Sequence, residues 1–239
     1  MVSDTKREKR ERGKEGKGER GRLIVFEGAD STGKRTQARM MLKYLNDSGI
    51  RTDYIEFPQY DSPFGALVGN YLRGEFGELE QISPEIPAIL FALDRYQFKN
   101  DLEKLLSTGT YLIANRYSES NLGYQAAKLS GKKKDEFIKW IDELESRMPQ
   151  SDLVFYLHLP IEVAQKLLAG RSDKDYLKGR KKDIHEQNVN YQKLVSETYL
   201  EIASKRNDKW VVINCAEGEG IKDKKQIHQE IVDAYDSRF

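Results

Sequence analysis

The sequence predicts an α/β protein built on a five-stranded parallel sheet, with helices on both faces and a short lid. Five short apolar runs, at 23–26, 52–57, 110–114, 151–159 and 210–215, alternate with longer amphipathic segments. Alternation of this kind builds a parallel sheet with right-handed crossovers. The first run enters its helix through the frame Gly-x-x-x-x-Gly-Lys, residues 28–34. A strongly basic stretch separates the fourth and fifth runs.

Residues 1–21 mix charge with glycine and carry nothing apolar after Val2. They are expected to be a disordered tail, with the domain running from 22 to 239. The strand at 23–26 then meets the turn Gly28, Ala29, Asp30, Ser31, Thr32, Gly33. Its glycines let backbone N–H groups curl around an anion, and the helix beyond adds its dipole and the charge of Lys34. Bound ATP or GTP phosphates are the expectation. The frame usually continues with a Ser or Thr whose hydroxyl meets Mg²⁺. Arg35 stands there instead and has no lone pair to offer a metal, which leaves Thr36 as the candidate ligand.

The strand at 52–57 runs into a polar loop at 58–61, on the carboxyl edge where parallel sheets bind ligands. Pro63 opens a helix that ends at 73–77, and Ser83-Pro84-Glu85 opens one long helix expected to reach 107. The strand at 110–114 ends in Asn115-Arg116-Tyr117, and two helices are expected at 118–129 and 134–148. His158, inside the fourth strand, reads as a packed or hydrogen-bonded strand histidine. A helix follows at 161–168. Residues 171–183 gather Arg171, Lys178, Arg180, Lys181 and Lys182 and are expected to form a mobile lid over a triphosphate. Asp183 and Glu186 have capping-box spacing, a structural reading. Cys215 ends the fifth strand as a small hydrophobe, and the last helix is expected at 223–235.

Composition limits the function classes. The net charge of +1 divides into +4 over residues 1–22 (9 basic, 5 acidic) and −3 over the remainder (31 basic, 34 acidic). The body is therefore no basic nucleic-acid surface, and no nucleic-acid partner is expected. No apolar run approaches the ~20 residues of a membrane span. A single cysteine excludes an intrachain disulfide and a cysteine-built metal site, and fits a reducing cytoplasm.

Five strings in order carry a family resemblance: FEGADSTGKRTQ (26–37), FPQYDSPFG (57–65), LFALDRYQ (90–97), NRYSESNLGYQAAK (115–128) and DIHE (183–186). With them the chain from Arg22 onward resembles the thymidylate kinases, P-loop NTPases of the nucleoside monophosphate kinase type. The resemblance implies phosphorylation of dTMP to dTDP by ATP with Mg²⁺, in dTTP synthesis, by a cytoplasmic homodimer. It implies that Lys34, Arg116 and Arg180 are catalytic, and that ATP is held by residues 28–36 and Arg171. It implies that Arg116 faces the dTMP phosphate, Arg95 lies between phosphate and base, and Phe91 stacks on thymine. Ser120 and Gln125 would meet the base edge, Tyr124 would crowd the 2′ position, Asp30 would accept from the 3′-OH, and Phe57 would line the pocket. From the residues alone, Phe57 and Phe91 are equally core aromatics, Tyr124 a half-buried helix tyrosine, Arg95 and Arg116 ion-pair partners, and Asp30 a turn residue. Departures from the family pattern are Arg35, Asn115 in place of Asp, Tyr60 in place of Arg, and Ser31 where some members carry an arginine. They keep two alternatives open: a kinase of another (deoxy)nucleotide, and a catalytically weak nucleotide-binding relative.

Overall fold

A computed structural model describes residues 19–168, Leu177 and residues 183–239. Strands β1 (Leu23–Gly28), β2 (Thr52–Glu56), β3 (Tyr111–Asn115), β4 (Leu153–His158) and β5 (Trp210–Asn214) form one sheet in the order β2-β3-β1-β4-β5. Every pairing is parallel. All six residues of the central β1 are buried, as a strand covered on both faces requires. Its alternate side chains feed two cores. Leu23 and Val25 enter one, Ile24 and Phe26 the other.

The helices are α1 (Lys34–Asp47), α2 (Pro63–Leu72), α3 (Glu85–Tyr96), α4 (Lys99–Ser107), α5 (Glu119–Tyr124), α6 (Gly131–Glu145), α7 (Ile161–Leu168), α8 (Val189–Lys205) and α9 (Lys224–Asp236). Met41 and Leu45 of α1 join Ile227 and Ile231 of α9 over one face of the sheet. Val68, Ala88, Leu102, Ile141, Val195 and Tyr199, one from each of α2, α3, α4, α6 and two from α8, build the other core.

Several expectations change. The single helix expected to 107 breaks into α3 and α4 at Phe98, whose backbone leaves helical geometry (φ −99°, ψ 2°). Its ring packs on Phe57 at 5.9 Å, so a tertiary contact interrupts a continuous apolar period. The helix expected at 118–129 is α5 followed by a 3₁₀ turn, Ala126–Lys128. Helix α8 was not anticipated. Tyr191, Val195, Tyr199 and Ile202 form its buried stripe, and Asn188 caps it by accepting from Tyr191 N at 2.9 Å. Asp183 and Glu186 do bond reciprocally, through Glu186 N to Asp183 Oδ1 (2.8 Å) and Asp183 N to Glu186 Oε2 (3.3 Å). They close a turn just ahead of the helix start.

Cys215 is fully buried, and burial pushes its thiol up to about 12, in keeping with a packing role. The chain is already docked at Gly21, whose N–H donates to Leu106 O at 2.8 Å. A Cβ there would lie 1.9 Å from Thr110 O. Residues 1–18 of the expected tail lie outside the described residues, as does the expected lid apart from Leu177 and Asp183. Arg171 and Arg180 are among those left outside. No helix among the described residues is long and apolar enough to cross a membrane.

Candidate active site

Strands β1 and β3 are neighbours, and both end at one cavity of about 950 Å³. This is the carboxyl edge, near the point where the chain changes direction across the sheet.

The turn after β1 needs its glycines. Gly28 has φ 149°, and a Cβ there would lie 2.7 Å from Leu157 O and 2.8 Å from Thr32 Oγ1. Gly33 has φ 84° at the N-cap of α1. Ser31 also has a positive φ, 68°. Thr32 Oγ1 donates to Ala29 O at 3.0 Å and Lys34 Nζ to the same carbonyl at 2.7 Å. These bonds fix the curl of the loop and bring the ammonium over it, 3.8 Å from Asp30.

Arg116 sits opposite, just past β3, with φ 67°. A bulky side chain in that region is strained, a cost that marks functional sites. Arg116 Nη2 donates to Asp30 Oδ1 at 2.9 Å and to Tyr124 Oη at 3.1 Å. Nη1 is buried with no hydrogen-bond partner among the described residues, and Glu27 Oε2 is 3.8 Å away. Burial opposes its charge, yet Tyr124, Asp30, Tyr199 and Glu27 together hold it above the ordinary guanidinium value. The guanidinium is thus oriented by Asp30 and Tyr124 on one side and by the buried Glu27 on the other.

The rest of the cavity is aromatic and polar. Phe91 and Tyr124 line it. Phe57 does so from within the core, 3% exposed, against Phe98 and Tyr117. Gln125 also lines it, and its Oε1 is buried with no hydrogen-bond partner among the described residues. Two expected contacts are directed elsewhere. Ser120 reaches the cavity wall, but its hydroxyl bonds Glu27 at 2.8 and 2.9 Å. Arg95, only 1% exposed, is not part of the wall and is ion-paired with Glu145, which also accepts from Asn121. An arginine buried that deeply needs a carboxylate, and α6 supplies one.

Sequence reading missed two organising acids. Glu27, fully buried, accepts from Tyr117 N (2.9 Å), Ser120 and Tyr199 Oη (2.8 Å). It ties β1 to the loop carrying Arg116. Asp94, also fully buried, accepts from Gln59 N at 3.1 Å and from Gln97 Nε2 at 3.1 Å, and burial raises its pKa. It holds the loop after β2. An acid directly after an apolar run was the available signal in both cases, Glu27 after Phe26 and Asp94 after Leu93.

Arg35 and Asn115 meet at the near corner. Arg35 Nη2 donates to Glu56 Oε1 at 2.6 Å, and Asn115 Nδ2 donates to the same oxygen at 2.9 Å. The Glu56 bond is the main reason the Arg35 pKa is raised. Asn115 Oδ1 is buried with no hydrogen-bond partner among the described residues, and Asn115, Glu56 and Thr36 line the cavity. An all-oxygen set suits a hard cation such as Mg²⁺. The residue types fit the ion, with Arg35 sharing the one carboxylate of the set. Asp30, Asp183 and Glu186 also bring oxygens within 4.8 Å of one another. There Arg116 and two backbone N–H groups already balance the charge.

Comparison with known proteins agrees with this geometry. The thymidylate kinase family model matches residues 26–231. The thymidylate kinase of Plasmodium falciparum is 29% identical over 213 residues, 89% of each chain. A probable thymidylate kinase of Thermococcus onnurineus is 32% identical over 215 residues, 88% of this chain and 95% of the relative. The solved structure of Candida albicans thymidylate kinase superposes with a TM-score of 0.67 at 25% identity, covering 91% of this chain and 92% of that one.

Proposed function

The chain belongs to the thymidylate kinase family, and from that premise we propose that it transfers the γ-phosphoryl group of ATP to dTMP. The observation that carries this reading is the bridge made by Arg116. One guanidinium spans Asp30 of the phosphate loop and Tyr124 of the aromatic end, inside a single cavity.

The loop N–H groups and Lys34 hold the ATP phosphates at the start of α1. Arg116, which lines the cavity, takes the acceptor phosphate and keeps its attacking oxygen in line. That oxygen forms the new P–O bond as the β–γ bridge breaks, and the electron pair leaves with ADP. Positioning and charge neutralisation are the main needs of such a transfer. Mg²⁺, bound with ATP, would neutralise phosphate charge and would be held by Glu56, Asn115 and Thr36. Phe91 offers its face to the base, the Oε1 of Gln125 an acceptor to the base edge, and Tyr124 a wall at the sugar. Asp30 stands beside the sugar. Arg95 supports this end from beneath through Glu145. Arg171 and Arg180 lie outside the described residues, and their assignment to ATP binding and catalysis rests on the family resemblance.

An ADP-release assay with ATP and Mg²⁺, offering dTMP, dUMP, dCMP, AMP and thymidine in parallel, tests the reading. Turnover is expected with dTMP well above the others. Equal turnover on AMP or dCMP, or none on dTMP, overturns it.

We also propose a homodimer. Ile86, Ile89 and Leu93 lie on one face of α3, 48%, 42% and 37% exposed, beside Phe64 and Leu67 of α2 at 36% and 38%. An apolar patch shared by two packed helices is the kind of surface a symmetric pair covers. Light scattering after gel filtration is expected to give twice the chain mass of 27.6 kDa. Ile89→Glu should reduce that to one chain. A monomeric parent protein would reject the proposal.

A further inference from the structure

Lys128 ends the 3₁₀ turn after α5 and takes no part in the cavity wall. Its Nζ lies 3.3 Å from Tyr71 Oη, 3.4 Å from Leu79 O and 3.5 Å from Ile82 O, and 5.7 Å from the Tyr71 ring centroid. Tyr71 Oη in turn lies 2.9 Å from His185 Nε2. His185 lines the cavity, stacked on Tyr124 with centroids 5.2 Å apart and planes inclined by 22°. Tyr124 holds Arg116. A continuous contact chain therefore leads from a half-buried ammonium to the reacting end of the site.

Donor arithmetic gives this chain a direction. An ammonium only donates, so Tyr71 Oη must accept from Lys128. Burial pushes the Tyr71 phenol up, so it keeps its proton through the physiological range. The side chain is fully buried, and among the described residues the acceptor in reach of that proton is His185 Nε2. Were Nε2 protonated, the Tyr71 proton would be stranded, an unsatisfied buried donor. His185 is therefore a neutral ring protonated on Nδ1.

We propose that Lys128 is a positioning residue which, through Tyr71, fixes the tautomer and stance of His185, and so the nucleoside wall that His185 and Tyr124 form. The inference rests on the cavity being the acceptor site. The groups facing Lys128 are Tyr71 from α2, Glu80 from the loop after it and Glu85 from α3; beyond Tyr71 stand His185, Asp183, Tyr124 and Tyr191. Burial lowers the Lys128 pKa to about 8, with Glu80 and Glu85 opposing. The ammonium is present below that pH and lost above it. A neutral amine can accept from Tyr71, which frees His185 Nε2.

The test combines imidazole nitrogen NMR with kinetics. His185 is one of three histidines and is assigned by the spectrum of H185Q. At about pH 7 its Nδ1-protonated form is expected, and as pH rises past Lys128's pKa the ring should exchange tautomers. The acceptor KM should rise about fivefold over the same interval with kcat nearly level, the size of one lost hydrogen bond. Tyr71→Phe, which removes the donor to His185 Nε2, should show the raised KM at every pH. Lys128→Arg, charged throughout, should keep the low KM. An Nε2-protonated ring at pH 7, Tyr71→Phe with parental KM throughout, or a Lys128→Arg protein that keeps the parental rise in KM overturns the proposal. The NMR result stands whether or not dTMP proves to be the acceptor.

Discussion

Arg116→Ala is expected to lower kcat by about 10³-fold or more, the scale of arginines that neutralise charge in phosphoryl transfer. Three observations set that size. The guanidinium is strapped to Asp30 and Tyr124, so it is oriented before substrate arrives. Its Nη1 makes no hydrogen bond among the described residues and is held by Glu27 Oε2 at 3.8 Å, so the group keeps its charge and its stance inside the cavity. And the backbone holds an unfavourable φ of 67° to put it there. Arg116→Lys keeps charge but loses the planar fork, and should recover only a small part of the rate. Removing the arginine also strips Asp30 and the buried Glu27 of a cation, so thermal unfolding should be recorded beside the kinetics. A folded Arg116→Ala protein with kcat within tenfold of the parent would place the acceptor phosphate elsewhere.

Lys34→Met should lose turnover on a similar scale while leaving dTMP affinity within about twofold. The methionine stem fills the space of a side chain that is 7% exposed but carries no charge to the ATP phosphates. The two substitutions thus separate the halves of the cavity. Lys34→Met should weaken ATP, measured by calorimetry, and Arg116→Ala should weaken dTMP. If Lys34→Met weakened dTMP as strongly as ATP, the ammonium would be holding the fold of the loop through Ala29 O and not the nucleotide.

The near corner of the site shows how a departure from a motif can be read. Arg35 and Asn115 look, one at a time, like losses at a metal site. In the fold they converge on a single oxygen of Glu56, and Tyr54 Oη donates to the other at 2.9 Å. The carboxylate comes from β2, one strand over from the position the family pattern leads one to expect. Glu56 lies just before the Phe-Pro string, and nothing in its local spacing marks it as a site residue.

The sequence by itself determined the sheet, its five strands, the phosphate loop and the place of Arg116 just past a strand end, while Phe91, Tyr124 and Gln125 came to the site through the family resemblance. The first of these are local properties. Short continuous apolar runs make buried parallel strands, glycines at 28 and 33 permit one turn, and strand ends in a parallel sheet share an edge. Only the tertiary structure decided where buried charge is balanced. Arg95 points to Glu145, fifty positions away, and Ser120 to Glu27, because a buried charge or hydroxyl takes whatever partner the packing brings within reach. It also decided that Phe98 breaks a continuous helical period, and that Lys128, Tyr71 and His185, from three separate segments, form one line of hydrogen bonds. Pairings across that much chain depend on distances that no local pattern encodes.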